Sequence, residues 1–131
     1  MRTYMNKILH ILITLCCFAV YGKAQTSVDM SGKVFQLIEK IPNSTTELKF
    51  KSNTEVTYVI TNYIFGKTYI DECPGKSIIN GNTITISCIC KNKELYPDPI
   101  SDRFTFDAKS QTLISTDHRT VDGIYFVWEL K

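Results

Sequence analysis

Several sequence signatures of enzymes and of nucleic-acid-binding proteins are missing from this chain. It contains no Gly-rich phosphate-binding loop, no Gly-x-Ser-x-Gly sequence and no His-Glu-x-x-His sequence. Beyond residue 24 it has no run of Lys and Arg of the kind that binds nucleic acid or an anionic membrane. These absences favour a protein that is not an enzyme, and nucleic acid is not an expected partner.

Acid–base and metal-binding side chains are also sparse beyond residue 24. The one histidine there, His118, lies in a polar segment before Gly123, where we expect it to be solvated. Asp71 and Glu72 are adjacent in a predicted strand, so their side chains point to opposite faces and cannot flank one substrate. A structural zinc site needs four ligands, which these residues and the cysteines do not supply. We therefore predict no catalytic residues, no metal and no cofactor.

No apolar stretch reaches the ~20 residues that a transmembrane helix needs. Residues 8–20 form a shorter apolar run, and the small residues Gly22 and Ala24 follow it, which is typical of a signal peptide. We predict that residues 1–24 are removed before Gln25, leaving no transmembrane anchor. The predicted location is secreted or periplasmic. Lipid attachment at Cys17, which would make the protein envelope-associated, is the alternative.

The remaining segment, residues 25–131, has the length of one domain with a modest core. Removal of the signal peptide takes away Arg2, Lys7 and Lys23, whereas all 13 acidic residues stay. The mature chain then has 12 basic residues and a formal net charge of −1. The basic character of the whole chain therefore belongs to the signal peptide.

Short windows of alternating apolar and polar residues predict β-strands along this domain. The clear windows are residues 47–51, 56–61, 77–79, 84–88, 103–107, 112–116 and 124–130, and weaker windows cover 33–39 and 65–72. No window has a convincing helical period. We predict an all-β fold, a small antiparallel up-and-down barrel or half-barrel of eight or nine strands, because closure removes exposed strand edges. A β-sandwich is the alternative.

The residue patterns of four strand-forming stretches resemble the small secreted lipocalin-like β-barrel proteins of Bacteroidetes. These stretches are residues 30–35, 48–53, 81–86 and 104–107. The resemblance implies a secreted barrel. Lipocalins proper carry a Gly-x-Trp near the start, where this chain has Gly32, Lys33 and Val34, and the resemblance implies no ligand-binding residue.

Three cysteines, Cys73, Cys88 and Cys90, fall in the predicted domain, and an exported protein can keep a disulfide. A two-residue turn at Asn80-Gly81 would place Cys73 opposite Cys88, and a turn one residue later would place it opposite Cys90. Cys88 and Cys90 share one strand face, so either could reach Cys73. We favour Cys73 with Cys88, with Cys90 as the alternative partner.

Residues 91–102 form the longest irregular segment, and its prolines hold it extended. Leu95, Tyr96 and Ile100 are apolar side chains in this segment. They either fold back to plug one end of the barrel or form a binding surface at its rim. As binding residues, they would engage a protein partner or a small apolar ligand.

The sequence therefore predicts an exported, non-enzymatic β-barrel that binds a protein or a small apolar molecule at its rim. A structural or envelope-associated protein is the first alternative, and an enzyme of unknown type is the second. A filled core with an exposed apolar patch would favour a protein partner, and an open apolar cavity would favour a small ligand.

Overall fold

The computed structural model describes residues 26–120 and 123–131. The predicted signal peptide, its cleavage point and Cys17 lie outside these residues. The described part of the chain forms eight strands: β1 (Val34–Leu37), β2 (Ser44–Phe50), β3 (Glu55–Ile64), β4 (Lys67–Asn80), β5 (Thr83–Cys88), β6 (Ile100–Asp107), β7 (Thr112–Arg119) and β8 (Tyr125–Leu130).

Each strand pairs antiparallel with the next, and β1 also pairs with β8, so the sheet closes on itself. Leu37 lies opposite Trp128 at this closing seam. The prediction of an all-β, up-and-down antiparallel barrel is confirmed, and the strand order excludes the sandwich. The closed eight-stranded barrel is consistent with a lipocalin-like fold.

The up-and-down order sorts the connections between the two ends of the barrel. The β1–β2, β3–β4, β5–β6 and β7–β8 connections lie at one end, which we call the rim end. The other three connections and the segment before β1 lie at the opposite end, the base end. There the Val28 N–H donates to the Gly81 carbonyl, the Met30 N–H donates to Asn53 Oδ1, and the Met30 side chain is fully buried. Residues 28–30 therefore cover the base end.

The barrel interior is packed with side chains that come from all eight strands. Their alternation along each strand follows from the period of two, which sends every second side chain inward. Buried aliphatic and aromatic residues dominate: Phe35, Leu48, Val56, Cys73, Ile84, Phe104, Leu113 and Trp128 represent β1 to β8 in order. The rings of Phe35 and Phe50 meet edge to face with centroids 6.0 Å apart. An eight-stranded barrel is just wide enough for such a filling.

The register between β4 and β5 decides the cysteine pairing. Asn80 lies opposite Thr83, so the two-residue turn is Gly81-Asn82, one residue later than the favoured position. Cys73 is bonded to Cys90 with a Cα–Cα distance of 4.1 Å, and Cys88 is a buried free thiol. The preference for Cys88 as the partner is therefore wrong, and the alternative, Cys90, is correct.

Gly75 explains why Cys88 lies opposite position 75 rather than opposite Cys73. Cys88 lies directly opposite Gly75, where the two strands approach closely. A Cβ atom at Gly75 would lie 2.1 Å from the Ser87 carbonyl oxygen and 2.6 Å from the Cys88 Cα. The absence of a side chain at Gly75 therefore permits this register.

Candidate binding surface at the rim end

Exposed apolar side chains are concentrated at the rim end. Of the thirteen large apolar side chains that are exposed in the described part of the chain, eleven lie there, and only Ile78 and Leu130 lie elsewhere. The eleven are Ile38, Ile41, Tyr63, Ile64, Phe65, Tyr69, Ile70, Ile89, Leu95, Ile124 and Tyr125. Single exposed apolar residues are ordinary, but the gathering of many of them at one end makes that end a candidate interaction surface.

The largest share of this surface belongs to the β3–β4 hairpin. β2 pairs with β3 only as far as Asn62, and β5 pairs with β4 only from Gly75 onward. Residues 63–72 therefore extend beyond the ladders on both sides, and we call them the arm. β-Branched and aromatic residues along both strands favour the extended conformation.

The tip of the arm is a tight turn that contains a phenylalanine, which is unusual in such turns. Ile64 lies opposite Lys67, so Phe65 and Gly66 are the two central residues, and their φ angles are 49° and 74°. Such turns favour Asn, Asp or Gly, because a bulky residue at positive φ is strained. The Phe65 side chain is also 101% exposed. It contributes nothing to the core and is strained at this turn, so neither packing nor turn geometry accounts for a phenylalanine at this position.

A groove of about 460 Å³ runs between the arm and the β5–β6 connection. Its walls are Ile64, Thr68, Tyr69, Ile70 and Asp71 on the arm, Asn62 on β3 just before the arm, and Asn92 and Leu95 on the connection. Asn92 holds the connection in place with two hydrogen bonds. Its side-chain Oδ1 accepts from the Leu95 N–H at 3.3 Å, and its backbone carbonyl accepts from the Tyr96 N–H at 3.0 Å.

The three side chains proposed from the sequence for rim binding divide between two environments. Leu95 is 64% exposed and lines the groove. Tyr96 and Ile100 are half-buried and pack against the core, and Ile100 is the first residue of β6 rather than part of the loop. The structure thus groups Leu95 with the arm, whereas Tyr96 and Ile100 fold back toward the barrel interior.

His118 is exposed, as the sequence predicts, but it lies in a strand rather than in a loop. It belongs to β7, and its Nδ1 lies 3.0 Å from Asp102 Oδ1. The same carboxylate oxygen accepts from the Ser115 hydroxyl at 2.9 Å, and the backbone N–H of His118 donates to Ser115 Oγ at 3.0 Å. The polar run from Ser115 to His118 extends the strand because Asp102 on β6 supplies these partners.

This cluster does not have the geometry of a serine nucleophile with a histidine base. The Ser115 hydroxyl donates to the Asp102 carboxylate rather than to the imidazole, and the Ser115 side chain is fully buried. A catalytic serine needs its proton acceptor on the histidine ring and an open path for substrate. The cluster therefore cross-links β6 and β7, and it satisfies the buried carboxylate.

Two ionisable groups in the interior have shifted pKa values. Burial, with a smaller contribution from the Asp102 charge, raises the pKa of Tyr58 to about 12. Burial also raises the pKa of the Cys88 thiol to about 11. Both groups are therefore neutral at physiological pH, and Cys88 has little of the thiolate that a reactive cysteine needs.

The described residues contain no group of three or more His, Cys, Asp or Glu side chains that could hold a metal ion. Within the same residues, there is no helix of the length and hydropathy needed for a membrane span. Comparison of the chain with protein-family models, with curated proteins and with solved structures finds no match.

The arm is the part of this surface that the sequence does not reveal. Residues 65–72 give only a weak strand pattern, and Phe65 and Ile70 read as ordinary strand residues. The available signal is the turn itself, because Phe-Gly replaces the polar dipeptide that usually joins two strands. The apolar turn is therefore the one sequence feature that distinguishes this hairpin tip from an ordinary polar turn.

Proposed function

We propose that this protein is an exported, non-enzymatic β-barrel of the lipocalin-like kind that binds a protein partner through its rim end. The observation that carries the proposal is the gathering of eleven exposed apolar side chains at one end of the barrel. The base end, by contrast, is covered by the chain itself. This arrangement supports a secreted, periplasmic or envelope-associated binding module.

The form of the surface favours a protein over a small apolar ligand as the partner. The barrel interior is filled by side chains from every strand, whereas the exposed apolar residues of the rim end lie on the arm, on the other three connections at that end and at the start of β8. Small ligands are bound in concave sites that enclose most of their surface. Protein interfaces instead are broad and centred on aromatic and large apolar side chains.

A photo-crosslinking experiment in the producing cells tests this proposal. A benzophenone amino acid is placed at Leu95 in one variant and at Ile78 in another. Ile78 is the matched control because it is 70% exposed but lies toward the base end on β4. We expect a discrete protein adduct from position 95 that is identified by mass spectrometry and is missing from position 78.

Substitution then ties the adduct to the apolar surface. Phe65→Ser and Leu95→Ser should weaken the binding of the purified partner, and Ile78→Ser should leave it unchanged, because only the first two remove rim-end apolar area. All three side chains are exposed, so the melting temperatures should stay near the wild-type value. Equal binding by all three variants, or adducts with lipid or small molecules alone, would contradict a protein partner at the rim.

A further inference from the structure

The arm has a backbone edge that none of the described strands covers, although the rest of the barrel is closed. β4 has 14 residues, and its ladder with β5 begins only at Gly75. From Lys67 to Cys73 the strand pairs with β3 alone. Unpaired strand edges are a template for another strand, and proteins that do not use them keep them short or covered.

The orientation of the free backbone groups follows from the hairpin. In a hairpin with a two-residue turn, the closing pair Ile64 and Lys67 exchanges hydrogen bonds, and the pattern then alternates along the strand. Odd-numbered residues of β4 therefore bond to β3, and Thr68, Ile70 and Glu72 direct their N–H and C=O groups outward. Pro74 agrees with this alternation, because its carbonyl accepts from the Ile89 N–H on the β5 side.

These outward groups are accessible rather than capped by the protein. Thr68, Ile70 and Glu72 are all exposed, and no hydrogen bond outside the β3 ladder joins them to another described residue. Three residues with the spacing of a strand present donors and acceptors in alternation along the groove. The chemical complement of such a row is an extended polypeptide backbone.

The side chains beside Thr68, Ile70 and Glu72 also suit an extended polypeptide. Tyr69 and Ile70 are exposed on opposite faces of the arm, and Leu95 forms the other wall of the groove. An added strand would place alternate side chains against these residues while its backbone bonds to the edge of β4. A lipid surface offers apolar contacts but leaves backbone N–H and C=O groups unsatisfied in hydrocarbon, which is costly.

A second copy of this chain fits the edge less well than a separate segment does. Edge-to-edge pairing of two copies would be symmetric, so each copy would bring its own Asn92 and Leu95 wall to the same interface. Two such walls would then meet at one interface. A single extended segment brings no second wall to the edge.

We propose that the free edge of β4 from Thr68 to Glu72 binds an extended segment of a partner protein as an added β-strand. This inference rests on the proposed function and names the chemistry of its partner: a segment in extended conformation with alternating apolar residues. Main-chain hydrogen bonds hold the segment, and the contacts with Ile70 and Leu95 select its side chains.

The test uses random dodecapeptides displayed on phage as the probe. The library is first depleted on the full-length exported protein carrying Ile70→Pro, and it is then selected on the wild type. Proline at position 70 removes one outward N–H without breaking the β3 ladder, as native Pro74 shows for the same strand. Ile70→Val is the matched control, since it keeps both the N–H and the branched side chain.

We expect a selected peptide to bind Ile70→Pro at least about tenfold more weakly than the wild type, and Ile70→Val within about twofold. Methylation of alternate backbone nitrogens of the peptide should cause a similar loss without any change to the protein, so the test remains valid if Ile70→Pro folds poorly. On binding, the amides of Thr68, Ile70 and Glu72 should become protected from hydrogen exchange.

Three outcomes would overturn strand addition. Peptides that tolerate Ile70→Pro and backbone methylation, or that protect other amides, place binding elsewhere. A concentration-dependent dimer that Ile70→Pro abolishes assigns the edge to a second copy. Flotation with phosphatidylcholine vesicles that is lost in Phe65→Ser and kept in Ile70→Pro assigns the arm to a lipid surface.

The same variants separate this inference from the proposed function. If Leu95→Ser weakens binding of the crosslinked partner and Ile70→Pro does not, the rim binds a protein but not by strand addition. If neither change weakens it, both proposals fail.

Discussion

Two ionisable side chains inside the barrel link its stability to alkaline pH. The Cys88 pKa rises from 9.0 in the unfolded chain to about 11 in the barrel, and the Tyr58 pKa rises from 10.0 to about 12. The unfolded chain therefore releases these protons at lower pH than the native protein does. Because the unfolded state then binds fewer protons, the free energy of unfolding falls as the pH rises. This contribution is complete below pH 9 and is lost between pH 9 and pH 12.

Tyr58→Phe should make the stability less dependent on pH above 10, because phenylalanine has no proton to release. Exposed Tyr69→Phe is the control and should keep the wild-type dependence. Denaturant unfolding, measured at intervals from pH 8 to pH 12, gives both profiles. Superimposable curves for Tyr58→Phe and the wild type would show that the buried phenol does not contribute.

At the scale of the strands, the closest approach in the barrel is between β4 and β5 at Gly75. The Ser87 carbonyl and the Cys88 backbone occupy the space where a side chain would begin. Both obstacles are backbone atoms in the middle of a ladder, so they cannot rotate away as a flexible side chain could. A larger residue at position 75 would force the two strands apart.

Gly75→Ala should therefore lower the free energy of unfolding by about 3 kcal/mol or more, since overpacking a site with a fixed backbone is at the upper end of such costs. Lys76→Ala changes an exposed neighbour on the same strand and should stay within about 0.5 kcal/mol of the wild type. Urea titration of the three proteins provides the comparison. A Gly75→Ala protein as stable as Lys76→Ala would mean that the ladder is looser at this point than the structure indicates.

The fold class was predictable because alternation with a period of two is visible within each strand. The window at residues 56–61 lies inside β3, and the window at residues 47–51 lies in β2 except for Lys51. The register between β4 and β5 was not predictable, because both candidate turns leave Cys88 and Cys90 on the same face. Only the pairing of Gly75 with Cys88 distinguishes the two registers, and it depends on a contact across strands.

The arm and the end of β7 were not predictable for related reasons. Pro74 and Gly75 are typical of a break, yet β4 continues through both, because the Pro74 nitrogen faces away from β3 and Gly75 fits a close approach. His118 lies beyond the predicted strand at residues 112–116, in a polar run that indicates a loop until Asp102 is placed beside it. In each case the deciding partner lies on another strand, and the local sequence does not show it.

At the scale of the whole molecule, the barrel has two unlike ends. The described chain begins at the base end, where Val28 and Met30 pack against the turns of neighbouring strands. The described chain therefore enters the barrel from the base end. The rim end, with its apolar arm and groove, lies at the opposite end of the barrel.

The exported protein should begin at Gln25 or at its cyclised form, because Gly22 and Ala24 provide the small residues that a signal peptidase accepts. Mass spectrometry of the intact protein recovered from outside the cytoplasm measures this directly. A chain that begins at Cys17 with added lipid would contradict cleavage before Gln25.

The Cys73–Cys90 bond also gives the barrel a mechanical property. It lies at the root of the arm, where the ladder between β4 and β5 ends. Without this bond, a force applied to the arm would separate β4 from β5 by breaking the hydrogen bonds of their ladder one after another, starting at the arm. The covalent bond passes that force to β5 before the first ladder pair is loaded. The disulfide therefore keeps β4 and β5 together when a force is applied to the rim end.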